Sequence, residues 1–168
     1  MDEIALARQV GQALRAAGLR LACAESCTGG GVAHALTAIA GASDWFERGY
    51  VVYSNAAKRE DLGVSAATLE RHGAVSEETA RAMAAGALAR SGADVALAVT
   101  GVAGPGGGSA AKPVGTVCFA WARGSKMRSE TRRFDGERES VRRQSVIRAL
   151  EGLLETLCAR DGPKPPRG

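Results

Sequence analysis

Hydrophobic spacing along the chain switches repeatedly between a helical and a strand period. Residues 3–17 place Ile4, Ala7, Val10, Leu14 and Ala17 on one helical stripe, and Gly18 supplies a stop. LRLACA (19–24) reads as a short buried strand. Residues 30–40 carry Val32, Ala35, Leu36 and Ile39 on one face of a second helix, with Gly41 as its end. YVVYS (50–54) predicts a second strand, and AAKREDLG (56–63) a short helix and turn. Ser65 and Ser76 are N-cap residues for two more helices. Glu77 and Glu78 follow Ser76 in the first turn, where the helix dipole favours acids, and that helix runs to Ser91 before Gly92.

DVALAVT (94–100) is a continuous apolar run, the pattern of a strand covered on both faces. A glycine-rich loop, GVAGPGGGSAAKP, separates it from the strand VGTVCFAWA (114–122). RGSK is a hairpin turn, and MRSETRRF (127–134) alternates like a half-exposed edge strand. Val141, Val146, Ala149, Leu150, Leu153, Leu154 and Leu157 mark a long C-terminal helix. The expected fold is α/β: a three-layer α/β/α sandwich around a mixed, mostly parallel sheet of about five strands. It forms one domain over residues 1–160, with a disordered tail at 161–168. The first three strands run parallel, and one hairpin strand runs against them.

In such sheets ligands bind beyond the carboxyl ends of the parallel strands. AESCTGGG, SNAAK and GVAGPGGG all follow a predicted strand, so three segments rich in glycine and polar residues converge on one edge. Composition narrows what that edge holds. Hydrophobic residues are 45% of the chain and aromatics only 4%, so the core is aliphatic. No apolar run spans a bilayer, and MDEIALARQV is unlike a signal peptide, which makes a cytoplasmic protein the expectation. The cysteines form no CxxC pair and the two histidines lie far apart, so a zinc site is not expected; no cofactor is expected either. Cys23, Cys118 and Cys158 read as buried small hydrophobes. The net charge of +4 gathers between Arg123 and Arg148 without interleaved aromatics. That favours a phosphorylated small ligand over nucleic acid.

Ser26 needs a base to act as a nucleophile. His34 lies inside a helix and His72 at a helix end, so a Ser-His-Asp arrangement does not fit. The chain has four lysines against eighteen arginines, and Lys58 follows a strand at the converging edge. It reads either as a surface charge on a short helix or as the base for Ser26. Cys27 is a rival nucleophile near a helix start. Thr28, Gly29 and Gly30 can offer N–H groups to an anion, or serve only a tight turn. GPGGG is neither a Walker loop nor a dinucleotide fingerprint.

AESCTGG, ERGYVVYSNAAK, HGAVSEETA, TGVAGPGGGSAAKPVGTV and RRQSVIRAL together resemble the CinA C-terminal domain family, in register from about Ile4 to Leu157. The resemblance implies hydrolysis of the carboxamide of nicotinamide mononucleotide, giving nicotinate mononucleotide and ammonia in pyridine-nucleotide recycling. It implies no metal and a homodimer. It makes Ser26 the nucleophile and Lys58 the general base. Tyr53, Asn55, Thr100 and Gly101 fall on site positions, and the arginine of the RRQ segment maps to Arg142 or Arg143, of which Arg142 is favoured. Longer family members carry an added N-terminal domain with pyrophosphatase activity, which is not expected here. A silent nucleotide-binding module and a Ser-Lys amidase for another small amide remain the alternatives.

Overall fold

The computed structural model describes residues 1–159; the tail expected at 161–168 lies outside the described residues. Helix α1 (Glu3–Ala17) opens on Asp2, whose carboxylate accepts the Ala5 N–H, and closes on a left-handed Gly18. Strand β1 (Leu21–Glu25), helix α2 (Gly31–Thr37), a 3₁₀ turn (Ala42–Asp44) and strand β2 (Phe46–Val51) follow. Helices α3 (Asn55–Leu62), α4 (Ala66–His72) and α5 (Glu77–Ser91) come next. Strands β3 (Val95–Gly101), β4 (Thr116–Arg123) and β5 (Lys126–Arg133) precede helix α6 (Arg138–Cys158). Ser54, Ser65 and Ser76 each cap a helix with the side-chain oxygen.

The sheet order is β2-β1-β3-β4-β5. β1 pairs parallel with β2 and with β3, whereas β4 is antiparallel to both β3 and β5. The two faces of the sheet differ in side-chain size. Leu21, Cys23, Val95, Leu97, Val99, Val117, Phe119 and Trp121 point to the side covered by α1, α2 and α6. Ala22, Ala24, Ala96, Ala98, Cys118, Ala120 and Ala122 face α3, α4 and α5. Strict alternation of large and small apolar residues thus buries both faces and yields the α/β/α layering. On that side α5 also packs closely on α3: a Cβ on Gly86 would lie 2.0 Å from the Leu62 carbonyl oxygen. Among the described residues, no helix is long and apolar enough to cross a membrane.

Three expectations shift. The second strand starts at Phe46 and ends at Val51, not over 50–54. It is an edge strand with an irregular register at Leu21/Ala22, so its FERG start shows no clean alternation. Its far end leaves the sheet because Ser54 caps α3 and the Val52 and Tyr53 carbonyls turn toward Lys58. Helix α2 stops at Thr37, whose hydroxyl donates back to the Ala33 and His34 carbonyls; Gly41 precedes the 3₁₀ turn instead of ending the helix. Cys158 is exposed at the end of α6, whereas Cys23 and Cys118 are buried.

Candidate active site

β1, β2 and β3 are parallel, so their carboxyl ends lie on one edge. Ser26 leaves β1 there, and its N–H still donates to the Val99 carbonyl of β3 at 2.9 Å. The chain then turns tightly, with Gly29 N–H on the Ser26 oxygen and Gly31 N–H on the Thr28 oxygen, both at 3.0 Å. The turn needs two successive left-handed residues, and Gly29 (φ 57°) and Gly30 (φ 100°) provide them. Helix α2 begins directly after, with Gly30 at its N-cap and no side chain of its own to cap it.

Glu25 fills that gap. Its carboxylate is fully buried, and one oxygen accepts the Thr28 hydroxyl at 2.6 Å and the Val32 N–H at 2.8 Å. The other oxygen accepts the Ala33 N–H at 3.1 Å. The first-turn N–H groups that could have met an anionic ligand are therefore occupied from within.

Lys58 sits in the first turn of α3 and turns inward beside Leu62. It is 1% exposed, so the surface-charge reading does not describe it. Its Nζ donates to Ser26 Oγ at 3.1 Å and to the Val52 and Tyr53 carbonyls at 3.0 Å each. Burial lowers the Lys58 pKa from its ordinary value of 10.5, and the neighbouring Cys27 opposes the shift. A neutral amine here keeps two N–H groups on the two carbonyls and turns its lone pair toward Ser26 Oγ. That geometry lets it take the hydroxyl proton. Cys27 is also buried, but its thiol is pushed up to about 12, chiefly by desolvation. It is protonated at neutral pH and poorly suited to attack.

These groups open into a cavity of about 220 Å³. Ser26, Cys27, Lys58, Tyr53, Thr100, Gly101 and Arg138 line it, with an apolar wall of Ala74, Val75 and Ala103. Thr100 is fixed by donating to the Ala74 carbonyl at 2.9 Å. Gly101 allows β4 to approach: a Cβ would meet the Thr116 oxygen at 2.8 Å. Two wider grooves, along α4 and between α5 and Thr131, contain no lysine-to-hydroxyl bond.

The other expected site residues are distributed around this cavity. Thr28 is buried against Glu25, and Gly29 and Gly30 form the outer side of the turn. Asn55 is exposed at the start of α3 and is not among the cavity-lining residues. Arg142 reaches in from α6, but its Nε donates to the Cys27 oxygen at 3.1 Å and its NH2 to the Thr28 oxygen at 3.3 Å. It braces the turn. Arg138, one helical turn earlier on the same face, reaches the cavity mouth. It donates to the Gly104 carbonyl at 2.8 Å and to the Tyr53 hydroxyl at 3.4 Å.

Sequence reasoning missed Glu25 and Arg138. An acid ending a buried strand, six residues before the start of a helix lacking a Ser, Thr, Asp or Asn cap, was the signal for Glu25. The i, i+4 spacing to Arg142 was the signal for Arg138. Among the described residues, no group of three or more His, Cys, Asp and Glu could hold a metal ion.

Comparison with known proteins gives concordant results. Residues 3–157 match the CinA C-terminal domain. The chain is 57% identical over 156 residues to nicotinamide-nucleotide amidohydrolase PncC of Pseudomonas putida, covering 92% of this chain and 98% of that protein. It is 54% identical over 152 residues to the protein of that name in Escherichia coli strain K12, covering 89% and 92%. The crystal structure of the competence damage-inducible protein A from Klebsiella pneumoniae superposes with a TM-score of 0.91 at 44% identity, covering 94% of this chain and 98% of that one. On sequence and fold together, the chain belongs to the CinA C-terminal domain family.

Proposed function

We propose that the protein hydrolyses the carboxamide of nicotinamide mononucleotide, with Ser26 as nucleophile and Lys58 as general base. The observation that carries the mechanism is the 3.1 Å bond between the buried Lys58 amine and Ser26 Oγ. The substrate rests on the relatives named as nicotinamide-nucleotide amidohydrolases.

The neutral Lys58 amine takes the Ser26 proton as Oγ adds to the amide carbon. The Gly29 N–H is already spent on the Ser26 carbonyl. The Cys27 N–H, on the cavity-lining residue after the nucleophile, is therefore the proposed donor to the oxyanion. Lys58 returns the proton to the leaving nitrogen, so ammonia departs and an ester forms on Ser26. Water then hydrolyses this ester with Lys58 again as base. The products are nicotinate mononucleotide and a regenerated hydroxyl. The Val52 and Tyr53 carbonyls hold the amine throughout.

The cavity, at about 220 Å³, is smaller than the roughly 300–1,000 Å³ that encloses a whole drug-sized ligand. It takes the pyridine ring and carboxamide, and the ribose phosphate extends to the mouth. Tyr53, 64% exposed, forms a wall there, and Arg138 supplies the cation for the phosphate. The reading places the enzyme in cytoplasmic pyridine-nucleotide recycling, as a homodimer. Its test is ammonia release from nicotinamide mononucleotide, nicotinamide riboside and nicotinamide. A requirement for the phosphate supports the substrate, and equal rates on free nicotinamide refute it.

A further inference from the structure

Glu25 immediately precedes Ser26, yet its side chain does not enter the cavity. It folds over the turn and ends on the first turn of α2, bonded to Thr28 Oγ1, Val32 N–H and Ala33 N–H. The side chain therefore joins the two ends of the segment that presents Ser26. From outside, Arg142 holds the Cys27 and Thr28 carbonyls of the same segment. No ion pair to Glu25 exists among the described residues, so hydrogen bonds and the α2 N-terminus balance its buried charge. A carboxylate buried in this way is costly unless every acceptor site is used, and here its length spans the turn.

We infer that Glu25 and Thr28 are positioning residues that fix Ser26 Oγ in line with the Lys58 amine. The inference rests on the Ser26–Lys58 reading. Glu25→Gln places an amide NH₂ where an acceptor must face the Val32 N–H and Thr28 hydroxyl, or the Ala33 N–H. Either orientation leaves a buried donor facing a donor. Thr28→Val removes the hydroxyl at constant shape. In both, Ser26 loses its tether while the cavity wall that binds the ring is untouched. Thr28→Ser keeps the hydroxyl.

Steady-state kinetics on nicotinamide mononucleotide test this, with thermal unfolding of each variant measured in parallel. Glu25→Gln and Thr28→Val should each lower kcat by about 10- to 100-fold, the cost of a displacement near 1 Å at the reacting group. KM should stay within about threefold, because ring binding does not pass through Glu25. Thr28→Ser should recover most of the kcat lost in Thr28→Val. Labelling of Ser26 by a fluorophosphonate should slow in parallel with kcat. Unchanged kcat in Thr28→Val overturns the inference, as does Thr28→Ser failing like Thr28→Val, or kcat recovering fully when Glu25→Gln is assayed far below its unfolding temperature. Ser26→Ala, assayed beside them, separates the two levels. If it stays active the nucleophile reading fails and takes the positioning role with it. If it is inactive while Glu25→Gln and Thr28→Val behave as wild type, only the positioning role fails.

Discussion

Lys58→Met keeps the length of the side chain and removes the amine. Three hydrogen bonds go with it, to Ser26 Oγ, Val52 O and Tyr53 O. Ser26 Oγ then retains the Tyr53 carbonyl at 3.4 Å, which can orient the hydroxyl but cannot accept its proton at neutral pH. Neither histidine can substitute: His34 is exposed on α2, and His72 faces Glu78 outside the cavity. With no replacement base, the loss should span the general-base range of about 10²- to 10⁴-fold in kcat. At about 1.4 kcal/mol per tenfold, that is about 3–5.5 kcal/mol of barrier. The variant should still fold, because the cost of leaving the buried Val52 carbonyl without its donor, about 1–3 kcal/mol, is opposed by no longer burying a polar amine.

The pH dependence has a definite sign. Burial lowers the Lys58 pKa, so the base form appears below 10.5, and kcat/KM should rise with pH through that lowered value. Between the lowered value and 10.5 the unfolded chain holds a proton that the native amine has released, so native stability rises with pH there. Lys58→Met should abolish both slopes. Ammonia release from nicotinamide mononucleotide across mildly acidic to alkaline pH reads the first, and thermal unfolding reads the second. A variant within about tenfold of wild type, or one that keeps the acid limb, refutes the assignment of Lys58 as base.

Three further outcomes follow from the geometry. Cys27→Ala should keep kcat within about threefold, since a thiol pushed up to about 12 is not ionised at neutral pH; the same ammonia assay checks it. Gly101→Ala would set a Cβ 2.8 Å from both the Thr116 oxygen and Val117 Cγ2, and should destabilise the fold by about 1–3 kcal/mol, read as a fall in Tm of about 2–4 °C per kcal/mol. Arg138→Ala should raise KM for nicotinamide mononucleotide about 10- to 100-fold, the worth of a charge-assisted bond, without changing any rate on the riboside.

Most of the fold was legible because its determinants are local. α1 and α5 end where Gly18 and Gly92 allow a left-handed turn, and Ser65 and Ser76 mark two starts. The converging edge followed from three strand ends, each trailed by glycine or small polar residues. β2 was misplaced because an edge strand is held by one neighbour and need not alternate. Lys58 lies among Asn55, Arg59, Glu60 and Asp61 on a short polar helix, and nothing local says that one charge of that set is buried. Its burial comes from the packing of α3 against α5 and from its bond to Ser26, 32 residues earlier, both long-range contacts. Glu25 was hidden for the converse reason: its partners, Val32 and Ala33, contribute backbone groups, which a sequence does not distinguish. Arg142 was placed at the site by resemblance, but its bonds go to the turn rather than into the cavity.

Ser26, and not Cys27, should carry the acyl group. Mixing the protein with nicotinamide mononucleotide, quenching in acid within one turnover and digesting it tests this directly by mass spectrometry. The nicotinate mononucleotide acyl group should be found as an ester on Ser26 of the peptide containing AESCTGG, and should be absent in Ser26→Ala. A thioester on Cys27, or turnover with no covalent adduct in either protein, would contradict it.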